Sequence, residues 1–174
     1  MDFRALAFLP ILFASLSSGP PAESSDGSAA RAAFERFRAM EGEWVGTSTR
    51  GWKEKISFRT IAGGSAVLET SFDAHPSETM ATLWAMDGER LLLTHYCVSG
   101  NQPRLVATAF EDEGRTVTFT FLDGGNLPSR DRGHMDRVVY RFLSADRVES
   151  RWAWFQKGEE RWMERIELER SGAR

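Results

Sequence analysis

At 174 residues with a formal charge of −3, the chain is sized for one ordinary domain. It lacks the basic excess that draws proteins to nucleic acid or anionic lipid. A single cysteine, Cys97, excludes an internal disulfide framework.

The first thirty residues, MDFRALAFLPILFASLSSGPPAESSDGSAA, carry one early arginine and an apolar run from Ala5 to Leu16, then become small, polar and proline-containing. That order is the pattern of a secretory signal, and the run is too short to span a bilayer comfortably. The reading is a signal peptide over residues 1–22, a flexible linker over 23–30 and a folded domain over 31–172. The mature protein is then secreted or periplasmic, without stable membrane insertion. In an oxidising compartment the lone thiol survives best when buried.

Over Ser28 to Met40, the residues Ala29, Ala33, Phe37 and Met40 recur at helical spacing, which predicts a short amphipathic helix. After residue 43 the period changes to two. Strands are predicted in EWVGTSTR, WKEKISFRTI, SAVLETSF, TMATLWAM, ERLLLTHYCV, PRLVATAFED, RTVTFTFL, MDRVVYRFLS, RVESRWAWFQ and ERWMERIELE, and Asp87-Gly88 is the strongest local hairpin signal. Ten short strands joined mostly by tight turns pair as hairpins. The expected fold is all-β, an antiparallel up-and-down barrel of about ten strands with a short N-terminal helix, since closure removes exposed edges. A flattened sandwich is the structural alternative.

One inward set is Trp44, Ile56, Phe58, Leu68, Val117, Phe119, Tyr140, Phe142, Trp152 and Trp154. Six tryptophans and twelve phenylalanines either line a pocket for an apolar or amphipathic molecule or fill the core. The stretch LLLTHYCVSGNQPRL, residues 91–105, places Leu91, Leu93, His95 and Cys97 on one strand face. If that face is inward, His95 points into the lumen near its mouth. Gly100, Asn101 and Pro103 read first as a turn, and Asn101 and Arg104 are also rim candidates for an anionic group.

Catalytic motifs do not assemble. There is no G-x-S-x-G, H-E-x-x-H, C-x-x-C or phosphate-binding glycine loop, and His95 and Cys97 sit about 6.5 to 7 Å apart along a strand. His75, His95 and His134 show no metal-ligand spacing, so no metal and no cofactor are expected. The connection GGNLPSRDRGHMDRVVY, residues 124–140, is the longest, which suits a lid or rim. Within it, His134 and Asp136 form either a proton-transfer pair or a salt-bridged strand entrance with Arg137.

The segments GEWVG, GGSAVLE and LTHYCVSGNQPRL resemble a family of exported bacterial proteins related to the domain family of unknown function 1579 (DUF1579). The short helix leading into G-x-W at Gly42 and Trp44 looks like the opening of lipocalin-like, calycin-type barrels, a group that includes nitrobindin and the fatty-acid-binding proteins. The resemblance covers most of residues 36–170. It implies a ten-stranded barrel with a lumen and, for some relatives, binding of haem or lipid. A nitrobindin-like haem histidine has its nearest counterpart in His134. A fatty-acid-type carboxylate site finds only loose candidates in Arg104 or Arg151 with Tyr96.

The leading reading is a binding protein without catalytic residues, whose lumen takes a small apolar or amphipathic molecule. Trp84, Phe119, Trp152 and Trp154 would desolvate the ligand, and His95, Tyr96 or Arg104 would meet its polar end. The alternatives are a small-barrel isomerase or hydrolase using a lumenal histidine with Glu69 or Asp136, and an envelope interaction module with a packed interior.

Overall fold

In a computed structural model, which describes residues 25–75 and 78–172, helix α1 (Ser25–Ala39) precedes ten strands. They are β1 (Gly42–Ser48), β2 (Lys53–Ile61), β3 (Ala66–His75), β4 (Glu78–Asp87), β5 (Arg90–Tyr96), β6 (Gln102–Glu111), β7 (Thr116–Gly125), β8 (His134–Ser144), β9 (Arg147–Gln156) and β10 (Glu159–Arg170). Each strand pairs with its sequence neighbours, and β1 pairs with β10, so the meander closes into a barrel. The expected fold class is the observed one. Among the described residues no helix is long and apolar enough to cross a membrane.

Residues 1–22, which the sequence reading assigns to a signal peptide, lie outside the described residues. The helix begins earlier than its apolar period suggests and takes in residues 25–30, which the sequence assigns to a linker. Asp26 in its first turn complements the helix dipole. Gly27 sits so close to the turn after β4 that a Cβ would meet the Glu89 side chain at 3.0 Å. The buried face is also wider than expected, because Ala30 and Phe34 join Ala33, Phe37 and Met40 in the core.

Helix α1 plugs one end of the barrel. Phe37 stacks on Trp84 at 4.7 Å and meets Tyr140, Phe142 and Phe119 edge-on at 5.1, 5.2 and 6.0 Å. These rings fill the half of the lumen beneath the helix. The choice between lined pocket and filled core therefore has a divided answer, since this half is filled.

The chain ends lock together over the plug. Gly42 takes φ = 127°, a region that favours glycine, and Trp44 donates its indole N–H to the Met40 carbonyl at 2.7 Å. Arg170 at the end of β10 stacks on Trp44 at 4.5 Å. Its guanidinium donates to the carbonyls of Glu41, Ala39 and Ala145 and to the Asp146 carboxylate. A cation thus satisfies carbonyls at the helix C-terminus, where the dipole is negative, and staples the last strand to the start of the first.

The inward faces of most strands follow the alternation, with one correction. Leu68 does not face inward; Val67, Glu69 and Ser71 do. The register pairs Phe58 with Glu69 and Ile56 with Ser71, and directly opposed residues share a face. Leu68 instead joins Glu43, Ser57, Arg59 and Thr70 around an outer-surface depression.

Candidate functional site

The half of the lumen away from α1 is built from different residues. Glu54 on β2 is in phase with Ile56 and Phe58, Glu69 on β3 with Val67 and Ser71, and Glu164 on β10 with Ile166 and Leu168. The bulge between Trp162 and Glu164 sets that last phase. Thr82 on β4 pairs with Glu69 on one side and with His95 on the other, so Glu69, Thr82 and His95 form one row across three strands. Together with Met80, Met135, Ser150 and Trp152 they line a cavity of about 30 Å³. That is room for a group the size of a water molecule or an ammonium ion.

His95 is 4% exposed. Its Nδ1 lies 3.1 Å from the Thr82 hydroxyl and its ring 5.0 Å from that of Trp152, while Nε2 is buried with no hydrogen-bond partner. Burial pushes the imidazole down to about 4, so at neutral pH it is uncharged. Buried polar atoms are normally paired, and an orphaned ring nitrogen beside a cavity is the kind of group a ligand satisfies.

The carboxyls are unusual in the opposite direction. Burial, then the charge of Glu54, drives Glu69 up to about 8 against the hydrogen bond from Tyr140, whose hydroxyl donates to Oε2 at 3.3 Å. Burial and the neighbouring Glu164 lift Glu54 to about 7. Burial, reinforced by Glu69, raises Tyr140 well above the ordinary phenol range. Glu164 accepts from the Ser48 hydroxyl at 2.5 Å and from the Trp52 indole at 2.8 Å. Such perturbed groups gathered in one cavity are a physical signature of functional sites. Among the described residues no cluster of three or more His, Cys, Asp or Glu is arranged to hold a metal.

The residues expected to bind ligand do not all meet. His95 and Trp152 line the cavity. Trp84 and Phe119 are fully buried in the aromatic plug and face α1 rather than free space. Tyr96 is half exposed on the outer side, and Arg104 is an exposed partner of Asp123, as follows from their alternation with His95 on β5 and Leu105 on β6. Trp154 lies toward the mouth, partly buried and packed on Gly133, where a Cβ would collide with its ring at 2.3 Å.

The loops at this end are tied down. Asn101 is buried and donates its amide to the Gly133 carbonyl at 2.8 Å, which joins the β5–β6 turn to the long connection before β8. Cys97 and Asn101 close that turn through the Cys97 N–H and the Asn101 carbonyl, with Gly100 at φ = 81°. The stretch from residue 91 to 105 is therefore a hairpin end whose one lumenal polar residue is His95. Cys97 is only partly buried.

His134 takes a structural role at the strand entrance, but the cation there is Arg130 rather than the expected Arg137, which pairs with Glu160 instead. The His134 ring is fully buried; Nδ1 donates to the Arg132 carbonyl at 2.6 Å and Nε2 accepts from Arg130. His134 Nε2 also lies 3.3 Å from Asp136 Oδ1. Arg130 also pairs with Asp136 and is sandwiched between Phe121 and Phe155 at 4.3 and 4.1 Å. With both ring nitrogens held by protein groups, His134 has no lone pair free for a haem iron. His75 lies among residues whose side chains are outside the description.

Sequence reading missed Glu54 and Glu164. A signal was present: each glutamate is in phase with aliphatic residues that face the core, and a charged residue on that face is informative because such burial is costly.

No protein-family model matches the chain, and a search of curated proteins finds no relative. Among solved structures, the chain is similar to a protein of unknown function from the DUF3598 family of Nostoc punctiforme, with 10% identity and a TM-score of 0.49. The match covers 77% of this chain and 48% of that one, so this chain spans about half the length of that structure.

Proposed function

We propose that this is an exported barrel protein that binds a small amphipathic molecule head-first in the mouth-side half of its lumen and does no chemistry on it. The observation that carries the reading is the orphaned Nε2 of His95 beside a cavity lined by hydroxyls and carboxyls. The filled aromatic half leaves no room for a long apolar chain, so the ligand's polar head occupies the cavity and its apolar part runs outward past Trp152 and Trp154. Met80 and Met135 on the lining are unbranched and adapt to such a guest. The G-x-W start, locked by Arg170, supports placing the chain among the calycin-type barrels, with DUF1579 as the specific family proposed.

Native mass spectrometry of protein purified gently from its own host tests the reading. An excess mass that is lost on denaturation, and absent from a His95→Phe variant, is the expected result. A clean apoprotein mass, together with no response of the tryptophan fluorescence to a library of small amphiphiles, would overturn it.

One observation favours a second reading, an acid–base enzyme. Glu69, largely protonated at neutral pH, and the neutral His95 line the same cavity, an acid and a base in the states proton transfer uses. Recovery of the bound molecule chemically unchanged after prolonged incubation counts against it.

A further inference from the structure

Glu54, Glu69 and Glu164 converge on one buried cavity, yet none of them forms an ion pair with a lysine or arginine among the described residues. On β8 to β10, Arg137, Arg141, Arg147 and Arg165 pair instead with Glu149, Glu160, Glu167 and Glu169. Two of the lumenal carboxyls do find protein donors, neutral ones: Ser48 and Trp52 on Glu164, Tyr140 on Glu69. Among the described residues no lysine or arginine supplies the positive charge that would balance the group. Beside it sits a buried imidazole nitrogen with nothing to bond.

We propose that the cavity receives the primary ammonium group of a small organic cation, with His95 Nε2 and the carboxylates of Glu54 and Glu69 as its acceptors. This rests on the lumenal binding reading and names the class of ligand. An alkylammonium head carries three N–H donors, enough for one ring nitrogen and two carboxylates. For Nε2 to accept, Nδ1 carries the proton and donates to Thr82, which its 3.1 Å separation from the hydroxyl permits. Trp152 adds an aromatic wall beside the head, and aromatic rings attract cations.

Charge and size both select. A neutral head leaves the carboxyls either protonated or repelling one another, and an anionic head adds to that repulsion. At about 30 Å³ the cavity admits an ammonium head and excludes a quaternary one with its three added methyl groups. Binding also takes protons off the site near neutral pH, because a cation holds Glu54 and Glu69 in their ionised forms; these protons pass to the buffer.

The test uses the full exported chain, isotopically labelled, and follows the imidazole signals of His95 and the indole signal of Trp152 by NMR. Ethylammonium, ethanol and acetate, which match in carbon count, are titrated to tens of millimolar at about pH 8, where Glu69 is half ionised. Ethylammonium is expected to saturate both signals while the other two do not, and calorimetry in two buffers near neutral pH is expected to register proton release. Glu69→Gln is expected to weaken ethylammonium about tenfold or more, the ordinary effect of losing a charged hydrogen-bond partner. Glu54→Gln provides the same check if the first variant does not fold.

If ethanol or acetate saturates the same signals as tightly as ethylammonium, the cation assignment is wrong and lumenal binding stands. If none of the three moves His95 or Trp152, both fall.

Discussion

Replacing Glu69 with glutamine should stabilise this protein, and by an amount that depends on pH. The carboxyl is pushed from an ordinary 4.5 to about 8 in the fold. Below 4.5 it is protonated in both the folded and unfolded states and carries no penalty. Between 4.5 and 8 the unfolded chain ionises while the folded one holds its proton, so stability falls as pH rises. Above 8 both states are ionised and the loss is complete. At about 1.36 kcal/mol per pKa unit the gap corresponds to at most about 5 kcal/mol, and part of it is recovered as the barrel relaxes around the charge. Glutamine keeps an acceptor for the Tyr140 hydroxyl and cannot ionise. Urea unfolding followed by tryptophan fluorescence should therefore place Glu69→Gln within about 1 kcal/mol of the parent at pH 5 and about 2 to 5 kcal/mol above it at pH 9. Stability curves that run parallel from acid to alkaline pH would refute the reasoning, because they would mean that Glu69 ionises in the fold as readily as in the open chain.

Three further outcomes are expected. Phe37→Ala removes the ring that four aromatic partners pack against and should cost about 3 to 5 kcal/mol in urea unfolding, the range for deleting a buried phenylalanine; a loss under about 1 kcal/mol would mean that α1 does not plug the barrel. Arg170→Lys should lower the melting temperature measurably, because one ammonium cannot reproduce the fan of bonds to Ala39, Glu41, Ala145 and Asp146 while stacking on Trp44, and an unchanged melt would remove the lock. For His95, whose folded value is lowered from 6.5 to about 4, the contribution reverses sign: no penalty exists above 6.5, and stability falls by up to about 3 kcal/mol as pH drops to 4. An NMR titration should show its ring neutral at pH 5.5, and a midpoint near 6.5 would contradict the burial.

Much of the fold was written locally. The period of two, the turns at Asp87-Gly88, Glu113-Gly114 and Lys157-Gly158, and the shortness of the connections specify ten antiparallel neighbours, and closure follows from the need to satisfy two edge strands. The same alternation placed His95 correctly, since Leu91 and Leu93 share its face and are buried. It failed at Leu68, where both faces of the strand carry plausible core residues and only pairing with β2 fixes the phase.

Composition stated that the chain is aromatic but not which rings would touch free space. Trp84 and Phe119 are as apolar as Trp152, and what separates them is a helix arriving from outside the sheet to occupy one half of the lumen. Likewise each lumenal glutamate stands alone in its own strand, at residues 54, 69 and 164. Periodicity along a strand can say that a residue faces inward. Hairpin pairing of β2 through β5 sets Glu54, Glu69 and His95 side by side, but only closure of β10 onto β1, which brings the two ends of the chain together, adds Glu164 to them. The altered proton affinities of Glu54, Glu69 and His95 arise from the burial and proximity that the closed barrel imposes.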